Sequence, residues 1–222
     1  MESTSLERID LGEVPYEAAQ ADMARWVIER KEGRAGNRLF LLTHPPVITY
    51  TKRTPASQLP DASSPIPLVE VDRGGHATYH GPGQLIGYLV VNVRDLGPRG
   101  LVRRVEQALI HAVGSLGFEA VRRDTPRGSE SLVGVWTPDD RKLASIGMRI
   151  SGSVTSHGFA LNIAPDLDVY TTFMSCALPH VRMTSLAELA EESGRPTPTE
   201  AQVRDAVAAA LTTELVVVGA QP

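Results

Sequence analysis

The sequence contains one cysteine, four phenylalanines and two tryptophans in 222 residues. A lone cysteine cannot close an internal disulfide, and it rules out CxxC-type metal sites. A reducing, cytoplasmic setting fits. No uninterrupted apolar run approaches the ~18 residues of a membrane-spanning helix, so no membrane partner is expected. The opening MESTSLERID carries acidic residues and no apolar core, unlike a secretory signal. Positive charge is not in excess either. There are 22 Lys and Arg against 26 Asp and Glu, a formal net charge of −4, which argues against nucleic-acid binding. Repeats and low-complexity tracts are absent, and no linker marks a boundary, so residues 1–222 read as one domain.

What is present is ordinary globular composition, 42% hydrophobic and 22% charged. Residues 15–31 predict an amphipathic helix with Tyr16, Ala19, Met23, Trp26 and Val27 on one face, ended by Gly33 and Gly36. Arg38 to Thr43 predicts a strand stopped by His44-Pro45-Pro46, and residues 52–67 a surface loop. Further strands are expected at Leu68 to Val71 and Ile86 to Val93. A helix is expected over 100–116, with Leu101, Val105, Ala108, Leu109, Ala112 and Leu116 aligned. Leu132 to Trp136 and Leu143 to Ile150 flank Pro138-Asp139-Asp140 and predict a hairpin. Gly158 to Ile163 predicts a short strand and Thr184 to Ala190 a short helix. Thr199 and Gln202 form a capping box ahead of a helix over 200–214, and Leu215 to Val218 could close as a strand. Strands clustered among helices, without strict βαβ alternation, favour an α+β fold with a mixed, largely antiparallel sheet flanked by helices.

Four segments could carry chemistry. Arg73-Gly74-Gly75-His76-Ala77-Thr78-Tyr79-His80-Gly81-Pro82-Gly83-Gln84 places four glycines in twelve residues. Glycine loses the most entropy on ordering, so it sits where a chain turns tightly or approaches a ligand. Amides of such a loop can hold an acyl carbonyl or a phosphate, although two turns around a strand would read the same way. In Lys142-Leu143-Ala144-Ser145-Ile146-Gly147, strand alternation puts Lys142, Ala144 and Ile146 on one face. A lysine there can simply snorkel to solvent. His157-Gly158-Phe159-Ala160-Leu161-Asn162 could line a pocket, although a core or turn histidine is commoner. Cys176 is the only thiol, and a lone cysteine is more often a small buried hydrophobe than a nucleophile. Of the histidines, only His76 and His80 approach a zinc spacing, and on a glycine-rich loop they need not converge, so no metal site is expected. The basic pairs Arg103-Arg104, Arg122-Arg123 and Arg141-Lys142 read as solvated surface. Gathered on one face, they would suit an acidic partner.

In this order, RGGHATYHGPGQL, KLASIGMRI, HGFALNI and Cys176 resemble the octanoyltransferases of lipoate biosynthesis, the lipoyl(octanoyl) transferases. The likeness spans roughly residues 10–190. It implies the catalytic-domain fold of biotin and lipoate protein ligases. It also implies transfer of octanoyl from acyl carrier protein phosphopantetheine to a specific lysine of lipoyl domains. Those domains belong to 2-oxo acid dehydrogenase E2 subunits and the glycine cleavage H protein. Neither ATP nor a metal cofactor is implied, and a monomer is expected. By motif, Cys176 becomes the acyl-thioester nucleophile and Lys142 its partner. Arg73, Gly74, Gly75, His76, Ala77, Thr78, Tyr79, His80, Ser145, Ile146, Gly147, Gly158, Phe159 and Ala160 become the acyl pocket. Two positions depart from the family pattern. Ala177 stands where glycine usually follows the cysteine, which is unfavourable only if φ is positive there. Thr51 stands where glycine is usual.

The implied chemistry is coherent. A free cysteine, with a pKa near 8.5, is mostly protonated at neutral pH, and an adjacent ammonium would favour the thiolate by about 1–3 pKa units. The tetrahedral oxyanion needs donors, and amides near Gly75 to His80 or at Cys176 are candidates. Three rivals remain at this level. An ATP-dependent lipoate or biotin protein ligase would show pyrophosphate exchange. A Cys–His thiol hydrolase using His80 or His157 would release free octanoate. A noncatalytic acyl-binding protein would be indifferent to loss of Cys176.

Overall fold

The structure, a computed structural model, describes residues 5–93, 97–179 and 181–216. The chain begins with strand β1 (Leu6–Glu13), helix α1 (Tyr16–Lys31), β2 (Asn37–Thr43), β3 (Val47–Tyr50), β4 (Leu68–Glu70), β5 (Thr78–His80) and β6 (Gln84–Val90). It continues with α2 (Pro98–Ser115), β7 (Gly134–Trp136), β8 (Arg141–Ser151), β9 (Val154–Asn162), β10 (Arg182–Met183), α3 (Leu186–Ser193) and α4 (Glu200–Val216). Seven strands make the main sheet, in the order β1-β2-β6-β9-β8-β10, with β7 on the opposite edge of β8 from β9. Within this sheet only β1–β2 and β8–β10 pair in parallel. The expected α+β fold with a largely antiparallel sheet is therefore what forms. A second sheet has three strands, ordered β4-β3-β5.

Alternation along the strands explains why helices cover both faces of the main sheet. On β2, Leu39 and Leu41 point into the core built with α2, α3 and α4, while Phe40 and Leu42 point into the core under α1. Leu85 and Leu89 against Ile86, Tyr88 and Val90 repeat the division on β6. Each fully buried Leu or Val contributes about 1.5–3 kcal/mol. Val203, Val207 and Leu211 bring α4 into the same core as α2. The capping box at its start is real: Thr199 N–H donates to Gln202 Oε1 at 2.9 Å, and Gln202 N–H to Thr199 Oγ1 at 3.3 Å.

Four strands were not anticipated, one of them β10, which has only two residues. β1 is a polar edge strand whose Leu6, Ile9 and Leu11 are only partly buried, so its period is weak. β3 and β5 have four and three residues, too short for a period. Leu215 and Val216, expected to begin a strand, are the last residues of α4 instead, where helix propagation continues past the capped start; residues 217 and 218 lie outside the described residues. The expected hairpin forms across β7 and β8, with Asp140 at φ 68° in its turn. Of the basic pairs, Arg122, Arg123 and Arg141 are matched by acids. Arg141 forks onto Glu192 at 2.6 and 2.7 Å, and Arg123 meets Asp140 at 2.6 Å. Among the described residues, no helix is long and apolar enough to cross a membrane.

Candidate active site

The glycine-rich loop, β8, β9 and a short turn at Ser175–Ala177 enclose a cavity of about 360 Å³. Arg73, Gly74, Gly75, His76, Thr78 and His80 line it from the loop. Lys142, Ser145, Ile146 and Gly147 line it from β8, Gly158, Phe159 and Ala160 from β9, and Cys176 from the turn. Two expected residues do not reach it. Ala77 and Tyr79 point the other way and pack with Ile48, Val169 and Phe173. Residues 76, 78 and 80 alternate with 77 and 79 through β5, so only one set can face the cavity. Other lining residues gave no signal in the sequence: Tyr16 from α1, Tyr88 from β6, and Val133 and Glu130 from the segment before β7. His157, whose commoner role is packing, also lines the cavity.

The loop lies directly on β8. Gly74 N–H donates to Met148 O at 2.9 Å, and a Cβ on Gly147 would come within 2.8 Å of Gly74 O. Glycine at 147 therefore permits a backbone-to-backbone approach that any side chain would prevent. Thr51 contributes to the same docking. Its hydroxyl donates to Gly75 O at 2.9 Å, so the residue that replaces glycine adds a strut to the loop.

Lys142 does not snorkel. It is 1% exposed, and its ammonium donates to Val133 O at 3.0 Å and lies 4.8 Å from the centre of the Trp136 ring. Strict alternation would have grouped it with Ala144 and Ile146. Instead Lys142 pairs with Trp136 and Ala144 with Val135, leaving Leu143 as a bulge. A bulge re-aims the side chains beside it. Leu143 and Ala144 are both in the core, while Lys142 and Ser145 both line the cavity.

Cys176 stands at φ 57°, ψ 21°, and Ala177 at φ 55°. Left-handed backbone costs an L-residue roughly 1–2 kcal/mol. Ala177, where the resemblance leads one to expect glycine, is thus in the conformation where glycine is favoured. The Cys176 N–H donates to Ala77 O at 2.8 Å, so that amide already has a partner and is not an oxyanion donor. The sulfur lies 3.6 Å from Ser175 Oγ and 3.7 Å from Ser145 Oγ. Burial pushes the thiol up, but the Lys142 ammonium, the two serine hydroxyls and the Arg73 guanidinium together hold it below its ordinary value of 9.0.

Arg73 and Lys142 are both cations without a carboxylate bridge among the described residues. Arg73 donates to neutral acceptors, Gly74 O at 2.9 Å and Thr49 Oγ1 at 2.9 Å. The His80 and His157 imidazoles add no charge at neutral pH. Burial, with His44, Arg73 and His157 nearby, drives His80 well below its usual range, and burial with Arg73 drives His157 to about 4. The net positive field suits a thiolate or an oxyanion. The polar neighbours of the thiol are serines and not an imidazole, which disfavours a Cys–His pair. His76 Nδ1, Thr78 Oγ1 and His80 Nδ1 are buried without partners at the cavity wall. Such groups mark where a polar ligand would be satisfied.

Residues 15–212 match the family model described as the lipoyl protein ligase A/B catalytic domain. An octanoyltransferase of Frankia casuarinae is 44% identical over 190 residues, covering 85% of this chain and 86% of that one. An octanoyltransferase of Acidothermus cellulolyticus is 44% identical over 206 residues, covering 90% and 88%. Among solved structures, a lipoate-protein ligase A bound with ATP superposes with a TM-score of 0.72. It covers 97% of this chain and 86% of that one at 16% identity, a likeness of fold alone.

Proposed function

This chain belongs to the lipoyl protein ligase A/B catalytic family, among its octanoyltransferases, and on that premise we propose that Cys176 is the residue that carries the octanoyl group. The protein is an acyltransferase of protein lipoylation. The observation that carries the cysteine reading is a thiol held below its ordinary value in a cavity it shares with Lys142 and Arg73, cations with no carboxylate bridge among the described residues.

The donor is octanoyl thioester on the phosphopantetheine of acyl carrier protein. The Cys176 thiolate attacks its carbonyl, a new S–C bond forms, the carrier's S–C bond breaks, and Lys142 protonates the departing carrier thiolate. One thioester replaces another, so the step is nearly isoenergetic and needs neither ATP nor a metal. The acceptor is a lysine of a lipoyl domain, of 2-oxo acid dehydrogenase E2 subunits or the glycine cleavage H protein. Its neutral amine attacks the Cys176 thioester, the N–C bond forms as the S–C bond breaks, and Lys142 takes the amine proton. Ammonium and thiolate are thereby restored. The free acceptor amine has a pKa near 10.4, so a base at this step matters. The Thr78 hydroxyl and the amides of the Gly75–His80 segment are the proposed oxyanion donors. The enzyme works as a cytoplasmic monomer.

Intact mass after incubation with octanoyl-acyl carrier protein tests this. One hydroxylamine-sensitive octanoyl adduct is expected, absent in Cys176→Ala, with transfer reduced by roughly 10⁴-fold or more. An adduct that persists in the variant would overturn the assignment.

A further inference from the structure

Glu106 lies on α2 in a face otherwise made of residues such as Leu101, Val105, Ala108 and Leu109, and is 3% exposed. A carboxyl group buried there is costly unless it holds a partner. Its partner is the Gly134 N–H, at 3.1 Å from Oε1. The carbonyl of the same peptide unit, Val133 O, accepts the Lys142 ammonium at 3.0 Å. A trans peptide is planar, with its N–H and C=O pointing in opposite directions. Drawing the N–H toward Glu106 therefore aims the C=O at Lys142. Trp136 braces the groups on either side of this unit. Trp136 Nε1 donates to Leu132 O at 2.8 Å, and the same indole ring faces Lys142 Nζ. Gly134 is at φ 143°, and a Cβ there would come within 2.4 Å of Ala144 O and 2.9 Å of Lys142 Cε. Only glycine lets this peptide lie between the carboxyl and the ammonium.

We propose that Glu106 is a positioning residue for octanoyl transfer: through the Val133–Gly134 peptide it sets where the Lys142 ammonium stands in the cavity it shares with Cys176. This rests on the reading of Lys142 and Cys176 as partners. Burial raises the Glu106 carboxyl, against the pull of the Gly134 N–H, Arg122 and Arg103, with Asp124 adding to the rise.

Position and charge can be separated because they have opposite signs. Removing a negative charge would by itself make the thiol more acidic. Displacing the ammonium would make it less acidic. Cys176 is the only cysteine, so iodoacetamide alkylation followed against pH reads its thiolate alone. Glu106→Leu removes both the charge and the hydrogen bond, Glu106→Asp withdraws the bond and keeps the charge, and Glu106→Gln keeps an acceptor without the charge. Leu and Asp are expected to raise the alkylation midpoint and to lower kcat by about tenfold with little change in KM. Gln is expected to leave the midpoint at or below that of the parent enzyme. Should Glu106→Leu fail to fold, Glu106→Asp carries the test. An unchanged midpoint in the folded Leu and Asp variants overturns the proposal. So does a midpoint raised in Gln as far as in Leu. Lys142→Met, measured beside them, isolates the underlying reading. If it fails to move the midpoint, the lysine–cysteine partnership falls. If it moves the midpoint and the Glu106 variants do not, only the role of Glu106 falls.

Discussion

Lys142 stands in an eleven-residue strand with a neighbour on each edge, Trp136 and Met183. Cys176 stands in a three-residue turn, in left-handed backbone, with a second left-handed residue behind it. The cation is thus held by long-range pairing, and the thiol by local strain that the surrounding fold must sustain. Strained backbone at a reactive residue recurs at functional sites, where a sharp turn presents the side chain. The contrast also divides the tasks. The charge that lowers the thiol comes from the rigid half. The thiol, which in the proposed mechanism meets two different substrates, sits in the half built from a turn.

The strongest test of this contrast is Lys142→Met. Transfer is expected to fall by about 10²–10⁴-fold. The alkylation midpoint of Cys176 should rise, because the parent thiol is held down partly by the ammonium that the variant lacks. Thermal stability should hold or increase, since the lysine is 1% exposed with no bridging carboxylate among the described residues. A normal rate in this variant would break the comparison at its rigid end. The turn is probed by Ala177→Val. Ala177 is 3% exposed and at φ 55°, where a β-branched residue is disfavoured and crowded. A loss of about 2–4 kcal/mol by denaturant titration is expected. If Val costs nothing, the turn is not strained and the contrast with β8 dissolves. The smallest effect belongs to Ala177→Gly. Relief of roughly 1–2 kcal/mol of left-handed strain is offset by about 0.5–1 kcal/mol of backbone entropy and about 0.8 kcal/mol for the buried methyl. The midpoint of unfolding should therefore move by less than about 1 kcal/mol. A large destabilisation would mean that the methyl group, not the backbone conformation, governs position 177.

Much of the fold was legible because it follows local periods. The apolar spacing of Tyr16, Ala19, Met23 and Trp26 marks α1, and that of Leu101, Val105, Ala108 and Leu109 marks α2. The capping box of Thr199 and Gln202 marks the start of α4. β1, β3, β5 and β10 escaped because three are too short to show a period and one is a polar edge. In the site, Arg73 to His76, Thr78, His80, Ser145 to Gly147 and Gly158 to Ala160 line one cavity with Cys176. Ala77 and Tyr79 do not, because a continuous motif in sequence is divided between two faces once β5 forms. Glu106 had no motif at all. A glutamate in an amphipathic helix ordinarily faces water, and only the packing of α2 against the segment before β7 gives it a partner.

The sequence by itself determined which chemical groups exist: one thiol, a lysine ahead of an apolar strand, and a loop with enough glycine to lie flat on its neighbour. It also determined which faces must be buried, since burial follows the spacing of apolar side chains along each element. The tertiary structure alone decided where those groups point. The bulge at Leu143 turns Lys142 inward, the Val133–Gly134 peptide links it to Glu106, and pairing of Cys176 N–H with Ala77 O accompanies the left-handed turn. Each of these depends on hydrogen bonds between distant segments, which no local period encodes. Lys142 and Cys176 are 34 residues apart in the chain, and they share one cavity only after β8, the loop and the turn have closed around it.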